Sequence, residues 1–229
     1  MRAGRKMKIT AVIAAKDEEE TIQAIVRESA DYVDEVLVVD GHSKDNTAFL
    51  AEQAGAKVVS DHGKGKGDAI RKGIMEAEGE AIVFLDADGS HSPRDIPRLT
   101  APILAGESDH VTGSRMKGGS DELHGDLGKF IRMLGSDIIT LGINYRFNVR
   151  LTDSQNGFRA IRTSTARDLG LVENITTIEQ EMIIKTLKKG YRVTEVPSHE
   201  YRRISGDSRI DVKKVAFRYV YSWLKYLIF

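Results

Sequence analysis

Hydrophobic positions in the first hundred residues fall into short unbroken runs separated by amphipathic stretches. Ile9–Ala14 is apolar and rich in β-branched residues, which predicts a buried strand. A helix is expected from Asp17, with Glu20 three residues on as in a capping box and Ile22, Ile25 and Val26 at helical spacing. Val36–Val39 predicts a second strand ending at Asp40, and a helix follows from about Asp45 to a stop at Gly55. Lys57–Val59 reads as a third strand and Gly67–Ala77 as a third helix closed by Gly79. Ala81–Leu85, wholly apolar, is a fourth strand that delivers Asp86, and Ser92-Pro93 opens a fourth helix with Ser as N-cap. Strands that are apolar throughout imply a mostly parallel sheet covered on both faces, an α/β fold. Ligands of such sheets bind beyond the carboxyl ends of the strands, so Asp40 and Asp86 should face one crevice. Gly113–Gly128, rich in Gly, Asp and Lys, is expected to be a mobile surface loop.

The pattern changes at the C-terminus. In Asp211–Phe229, Lys214, Arg218, Ser222 and Lys225 fall at spacings of four, four and three, one polar stripe on an otherwise apolar helix. A basic amphipathic helix rich in Trp and Tyr suits a membrane interface; packing on the body or in a dimer contact is the plainer alternative. Residues 1–210 are therefore read as one domain and 211–229 as an amphipathic appendage.

Composition narrows the classes. The 229 residues contain no cysteine, which excludes disulfides, thiolate metal sites and cysteine nucleophiles and fits a cytosolic protein. The 41 % hydrophobic content supports one sizeable core. Lys plus Arg and Asp plus Glu both number 34, a neutral sum that argues against a nucleic-acid partner. No window approaches about 20 uninterrupted apolar residues, and the basic stretch Met1–Lys8 lacks the apolar core of a signal peptide. The neutral sum hides two basic ends around an acidic body, and the last 13 residues hold six of the 15 aromatics.

Asp86-Ala87-Asp88 leaves the fourth strand directly. Two carboxylates one residue apart on such a turn can converge on one hard divalent cation, Mg²⁺ or Mn²⁺, which also takes phosphate oxygens; a turn with two solvated acids is the alternative. Gly63-Lys-Gly-Lys-Gly67 before the third helix offers backbone amides to an anion or is a flexible basic turn. No GxGxxG follows the first strand and no GxxxxGK[ST] exists.

The ordered segments AVIAAKDEEETI, VVDGHSKDNT, GKGKGDAIRKG, VFLDADGSHSPRDIP, VTGSR, TDSQNGFRAIR, IEQEM and RRISGDSRI span nearly the whole of Lys8–Ile210. Together they resemble glycosyltransferase family 2, in its dolichyl-phosphate (polyprenyl-phosphate) mannose and glucose synthase branch. The resemblance implies a GT-A fold and a divalent cation, Mg²⁺ or Mn²⁺, on Asp86 and Asp88. It implies nucleotide-sugar contacts from Ala14, Lys16, Glu18, Asp40, Lys66 and Ala87, with Arg115 near the donor phosphates. Asp153 and Gln155 match the acidic loop near the reacting centre. Arg132, Ser136, Arg203, Ser208 and Arg209 match an acceptor-phosphate set, with Arg209 where Lys is usual. Glu179, Gln180 and Glu181 match a segment whose acids either act at the site or merely cap and solvate a helix. Ser90 stands where some members carry a metal-side Gln; His42 reads as a solvated loop residue, and His91 is open between that and a place at the site.

The implied reaction moves a hexosyl group, with inversion, from a nucleotide sugar of UDP-glucose type or GDP-mannose to dolichyl or polyprenyl phosphate. The implied partners are that donor, that lipid, a membrane surface on its cytoplasmic face, and a membrane-anchoring subunit or second copy. Two other readings stand at this level. Leu85–Ser90, with Asp207 and Asp211, also resembles haloacid-dehalogenase phosphatases, although that nucleophile belongs on a first strand. A non-catalytic nucleotide-sugar or membrane-binding module is the other.

Overall fold

The computed structural model describes residues 7–122, 127–204 and 212–228, with the backbone alone at 127–132 and 212–216. Its first half follows the predicted alternation: β1 (Ile9–Ala15), α1 (Ile22–Ala30), β2 (Glu35–Asp40), α2 (Thr47–Gln53), β3 (Lys57–Ser60), α3 (Lys66–Glu76) and β4 (Ala81–Asp86). A 3₁₀ turn (Pro93–Asp95) leads into α4 (Ile96–Leu104). The second half adds β5 (His110–Ser114), α5 (Arg115–Gly118), α6 (Leu127–Phe147), β6 (Arg159–Arg162), α7 (Thr163–Asp168), α8 (Ile178–Lys188), β7 (Val193–Pro197) and α9 (Val212–Ile228).

The seven strands form one sheet in the order β3-β2-β1-β4-β6-β5-β7. Four of the six pairings are parallel; β6 runs antiparallel to β4 and β5. Side chains leave a strand alternately to either face, and both faces here are buried. Ile13 joins Ile22, Val26, Leu99 and Ile103 on one side, whereas Val12 joins Ile70, Ile74 and Met182 on the other. A third cluster joins Ile139 and Ile143 of α6, Ile183 and Ile184 of α8 and Tyr226 of α9. The register sets the functional edge. Ala15 of β1 pairs with Asp40 of β2, and Ala14 with Asp86 of β4. The two carboxylates therefore leave the sheet at one level, on either side of the central strand.

Three local expectations change. The first helix begins at Ile22, with Asp17 at φ 53°. Asp17, expected as its cap, and Glu18 instead tie down the neighbouring loop. Asp17 N–H donates to Ser43 (2.9 Å), Asp17 Oδ1 accepts from Lys44 N–H (2.8 Å), and Glu18 N–H donates to Thr47 Oγ1 (2.8 Å). Ser92 makes no side-chain cap bond. The expected surface loop at 113–128 is, through residue 122, the end of β5, then α5 and a bridge from Ser120 to Glu200, with Gly113 and Ser114 buried.

His110 of β5 is fully buried, and burial beside Arg159 pushes its pKa well below the usual 6.5. Thr186 donates its hydroxyl to Met182 O and accepts from His110 Nδ1 (3.1 Å), which leaves His110 Nε2 as a bare buried acceptor. The folded state holds His110 neutral, so below about pH 6.5 the unfolded chain binds the extra proton and stability falls as pH falls. We predict that the difference in unfolding free energy between wild type and His110→Asn shrinks by up to about 1.4 kcal/mol per pH unit below 6.5. Urea titrations at pH 7.5 and 5.5 test this, and an unchanged difference would refute it.

Candidate active site

Beyond the carboxyl ends of β1, β2 and β4, acidic side chains meet cations supplied by three other segments. Asp86 ends β4 and receives Lys66 Nζ at 2.6 Å. The same ammonium lies 3.1 Å from Glu179 of α8, so one cation joins two acids. Burial opposes the charge on Asp86, but Lys66 outweighs it and holds the carboxyl down at about 2. Burial opposes the charge on Lys66 too, and Asp86 with Glu179 raises its pKa above the ordinary lysine value.

Glycines set this geometry. Gly65 has φ 113°, and a Cβ on Gly67 would fall 2.4 Å from the Glu173 carbonyl oxygen. Only a chain without side chains there can press the start of α3 against 173–174 and project Lys66 into the crevice. The Gly67 amide donates to Asn174 O (2.9 Å), so that part of the GKGKG turn serves packing and the placement of Lys66. Gly157 closes the opposite side: a Cβ there would lie 2.9 Å from Lys66 Nζ and 3.2 Å from Asp86 Oδ2.

Asp88 is buried and fixed by its own turn. Its Oδ1 accepts from Ser90 N–H (3.0 Å) and Ser90 Oγ (2.6 Å), and its Oδ2 faces Arg203 Nε at 3.2 Å. Ser90 thus orients the acid pair. Ala87 is tied to the first loop, its carbonyl accepting from Thr21 Oγ1 at 2.6 Å. Ala14 and Glu18 are half-buried and Lys16 is exposed along that loop. Asp40 is buried and accepts from Ser43 N–H (3.2 Å).

Arg115 opens α5 and grips Asp153 through two nitrogens, Nε to Oδ2 at 2.6 Å and Nη2 to Oδ1 at 3.0 Å, while Nη1 reaches Glu200 at 3.4 Å. A bidentate clamp of this kind fixes both partners. Gln155 follows with its N–H on Asp153 Oδ1 (3.1 Å). Ser136 is half-buried on α6, one turn before Thr140, whose hydroxyl meets Ser154 at 2.8 Å beside Asp153. The side chain of Arg132, and Ser208 and Arg209 entirely, lie outside the described residues, as do Asp207 and Asp211. Of the expected acceptor set, Arg203 is seen on Asp88.

Sequence reasoning passed over Arg159. It is fully buried beneath this cluster, donating to the Glu179 carbonyl (2.9 Å) and, through Nε, to the Asn156 carbonyl (3.0 Å). Burial pushes its pKa down to about 10 despite Glu179, Asp153 and Asp86, so it remains a cation at neutral pH. His91, left open from the sequence, is buried, stacked on Phe158 (4.9 Å) and bonded to Asn156 (3.2 Å); burial lowers its pKa. Both partners stood in the TDSQNGFRAIR segment, but nothing in one dimension marks Arg159 as internal.

The IEQEM segment divides by role. Glu179 faces Lys66. Gln180 donates to the Tyr219 carbonyl of α9 (3.0 Å). Glu181, fully buried, accepts from the amides of Val172 (3.0 Å) and Glu173 (2.8 Å) and pairs with Lys185 (2.7 Å).

Among the described residues no three acid or histidine side chains form a closed metal cage. The donor set nevertheless suits a hard cation bound from one side. Asp86 and Asp88 offer carboxylate oxygens, and the buried Oε2 of Glu179 and Oε1 of Gln155 have no hydrogen-bond partner. Mg²⁺ typically binds through one or two carboxylates, substrate phosphates and water, which an open acid pair can satisfy.

Comparison with known proteins agrees with this geometry. The family model for glycosyl transferase family 2 matches residues 10–170. The chain belongs to that family. It is 34 % identical over 201 residues to glycosyltransferase AglJ of Haloferax volcanii, covering 85 % of this chain and 64 % of that relative. The chain thus spans less than two thirds of AglJ. It is 32 % identical over 221 residues to the undecaprenyl-phosphate mannosyltransferase of Micrococcus luteus, covering 89 % of this chain and 88 % of that one. Glucosyl-3-phosphoglycerate synthase of Mycobacterium tuberculosis, solved with Mn²⁺, UDP and glucosyl-3-phosphoglycerate, superposes with a TM-score of 0.76 at 22 % identity, covering 99 % of this chain and 81 % of that one. The sheet of this family 2 chain is therefore the expected GT-A architecture, with a C-terminal helix in place. Membership in family 2 sets aside the phosphatase reading of Asp86.

Glu181→Ala is expected to cost about 2–4 kcal/mol, because it removes from a fully buried position the acceptor of two part-buried backbone amides and of Lys185. Glu179→Gln should cost clearly less, about 1–2 kcal/mol, because Lys66 keeps Asp86 as its partner and no backbone group depends on the Glu179 side chain. Equal losses in the two variants would contradict this division.

Proposed function

We propose that the chain is an inverting glycosyltransferase that moves a hexosyl group from a nucleotide sugar to a polyprenyl phosphate. The reading is carried by the acid pair at the sheet edge, half-buried Asp86 and buried Asp88, flanked by the Arg115–Asp153 clamp. The name of the Micrococcus relative supports the lipid-phosphate acceptor, and the UDP complex of the structural neighbour supports the nucleotide-sugar donor. The donor is of UDP-glucose or GDP-mannose type. A Mg²⁺ or Mn²⁺ held by Asp86 and Asp88 would stabilise the charge that develops on the departing diphosphate.

The remaining roles fall to the protein's own groups. Ala14, Lys16, Glu18 and Asp40 line the loop side of the crevice and bind the nucleoside. Ser90 keeps Asp88 oriented. Arg115, fixed by Asp153, presents a guanidinium towards the donor phosphates. An acceptor phosphate oxygen attacks the anomeric carbon as the bond from that carbon to the diphosphate oxygen breaks, and the nucleoside diphosphate leaves. A phosphate monoester has its second pKa near about 6 and is already ionised at pH 7, so the step needs no general base. That suits a site where His91 is buried beside Asn156 rather than paired with an acid. Arg132, Ser136, Arg203, Ser208 and Arg209 recognise the acceptor phosphate, which requires Arg203 to exchange its contact with Asp88. The enzyme works at the cytoplasmic face of a membrane, where its lipid acceptor resides.

Asp88→Ala and the isosteric Asp88→Asn are expected to lower transfer of radiolabelled sugar to polyprenyl phosphate by more than about 100-fold, with unchanged far-UV circular dichroism. Full activity in either would remove the metal assignment. A thermal-shift panel of UDP- and GDP-sugars with Mn²⁺ identifies the base. Stabilisation by neither series would overturn the donor assignment and leave the binding-module alternative in its weakest form.

A further inference from the structure

Glu195 of β7 has no part in the roles above, yet its side chain is only 2 % exposed and four groups converge on it. Its Oε1 accepts from the backbone amides of Thr152 and Asp153, both at 2.7 Å. Its Oε2 accepts from Thr152 Oγ1 (2.9 Å) and lies 3.1 Å from Lys117 Nζ. β7 runs parallel to β5, with Thr112 opposite Glu195 and Ser114 opposite Pro197. The carboxylate thus stands where α5, which continues from β5, meets the 152–153 turn.

A carboxylate only accepts hydrogen bonds, and this fixes the direction of a longer chain. Thr152 donates its hydroxyl to Glu195, so the 2.6 Å contact between Thr152 Oγ1 and Ser114 Oγ is donated by Ser114. Ser114 Oγ in turn accepts from Lys117 N–H (3.3 Å) and caps α5. Glu195 therefore reaches α5 twice, through the Lys117 ammonium and through Thr152 and Ser114. Arg115 is the residue that follows this cap.

The two segments gathered by Glu195 carry the two partners of the clamp. Asp153 is buried, with its amide on Glu195 and its carboxylate on Arg115, so its backbone and its side chain are held from different sides. The Arg115 amide also donates to Asp153 Oδ2 (3.2 Å). Tethering an edge strand to a loop needs one such bond. Four on one side chain, all from the segments that flank the clamp, specify how those segments sit relative to each other. A displacement of about 1 Å at a reacting centre can cost about 100-fold in rate.

We propose that Glu195 is a positioning residue for sugar transfer: one carboxylate holds α5 against the 152–153 turn and thereby sets the aim of the Arg115–Asp153 pair. This rests on the reading above that places the pair at the reacting centre. It adds a residue of β7 that acts on the reaction only through Thr152, Asp153 and α5.

The test uses the full chain with Mn²⁺, nucleotide sugar and polyprenyl phosphate, well below the melting temperature of every variant. Glu195→Ala is expected to lower kcat about 10–100-fold, with KM for the nucleotide sugar within about threefold of wild type. Glu195→Gln keeps an oxygen for the two amides and should recover most of that loss. Glu195→Asp keeps the charge but withdraws it by one methylene, and should not. In an Asp153→Ala background, Glu195→Ala should cost less than about threefold more, because its effect passes through Asp153. Amide exchange at Thr152 and Asp153, followed by NMR without substrates, should be at least about tenfold faster in Glu195→Ala than in wild type. Wild-type kcat in Glu195→Ala, losses that multiply fully with Asp153→Ala, or recovery by Glu195→Asp and not by Glu195→Gln would overturn the proposal. No transfer by the wild-type chain would refute the reading of its function, whereas unchanged exchange at both amides would refute the role of Glu195 with that reading intact.

Discussion

The bridge of Lys66 between Asp86 and Glu179 is the contact on which the site's architecture turns. Two carboxylates cannot stay ionised side by side at a partly buried edge without a compensating cation. The chain supplies several, each from a different element: Lys66 from the start of α3, Arg159 from β6 beneath, and Arg115 from α5 on Asp153. Removing one partner of such a pair leaves an uncompensated charge and typically costs about 3–5 kcal/mol. The acids therefore commit distant segments to one arrangement. The 153–157 loop must lie over β4, and the 172–174 segment must lie beside α3.

Backbone choices serve that charge arrangement. Gly67 allows α3 to approach the Glu173 and Asn174 carbonyls, and Gly157 leaves space for the Lys66 ammonium and the Asp86 carboxylate. Arg71, on the next turn of α3, reinforces the contact through Asn174 Oδ1 (2.7 Å) and the Glu173 carbonyl. Glu181 organises the same segment from below by accepting its amides. The site thus resembles a keystone arrangement: hydrophobic burial builds the sheet, but carboxylate–cation pairing decides how the loops at its edge settle.

The sheet was legible because parallel strands buried on both faces leave unbroken apolar runs, and those runs end at the acids that matter. The first helix was misjudged at its start. Asp17 to Glu20 satisfies a capping pattern in one dimension, but Ser43, Asp45 and Thr47 of the facing loop claim those groups in three. The second half was less legible. Strand β6 is four residues long and contains Arg159, a residue whose burial depends on the carbonyls of Ser154, Asn156 and Glu179 and on the acids nearby. No periodicity announces an internal arginine. The ordering of residues 113–122 likewise depends on partners 80 residues away, as Ser120 reaches Glu200 and Gly118 accepts from His199.

The tail shows why spacing alone assigns a helix face poorly. Lys214, Arg218, Ser222 and Lys225 share a side of α9, yet a small hydroxyl is easily buried and a long basic side chain can carry its charge outward along the helix flank. The body buries Ser222, expected on the polar stripe, together with Tyr226, and that need fixes the rotation of the helix. Once rotated, the remaining apolar residues have nowhere to go but outward, as do Leu134, Ile138, Leu141 and Tyr145 of α6. The zero net charge of the chain acquires a spatial meaning in the same step. Several acids meet beyond the sheet edge, where lysine and arginine hold them, and a surplus of basic residues accompanies the two helices whose apolar faces the body leaves uncovered.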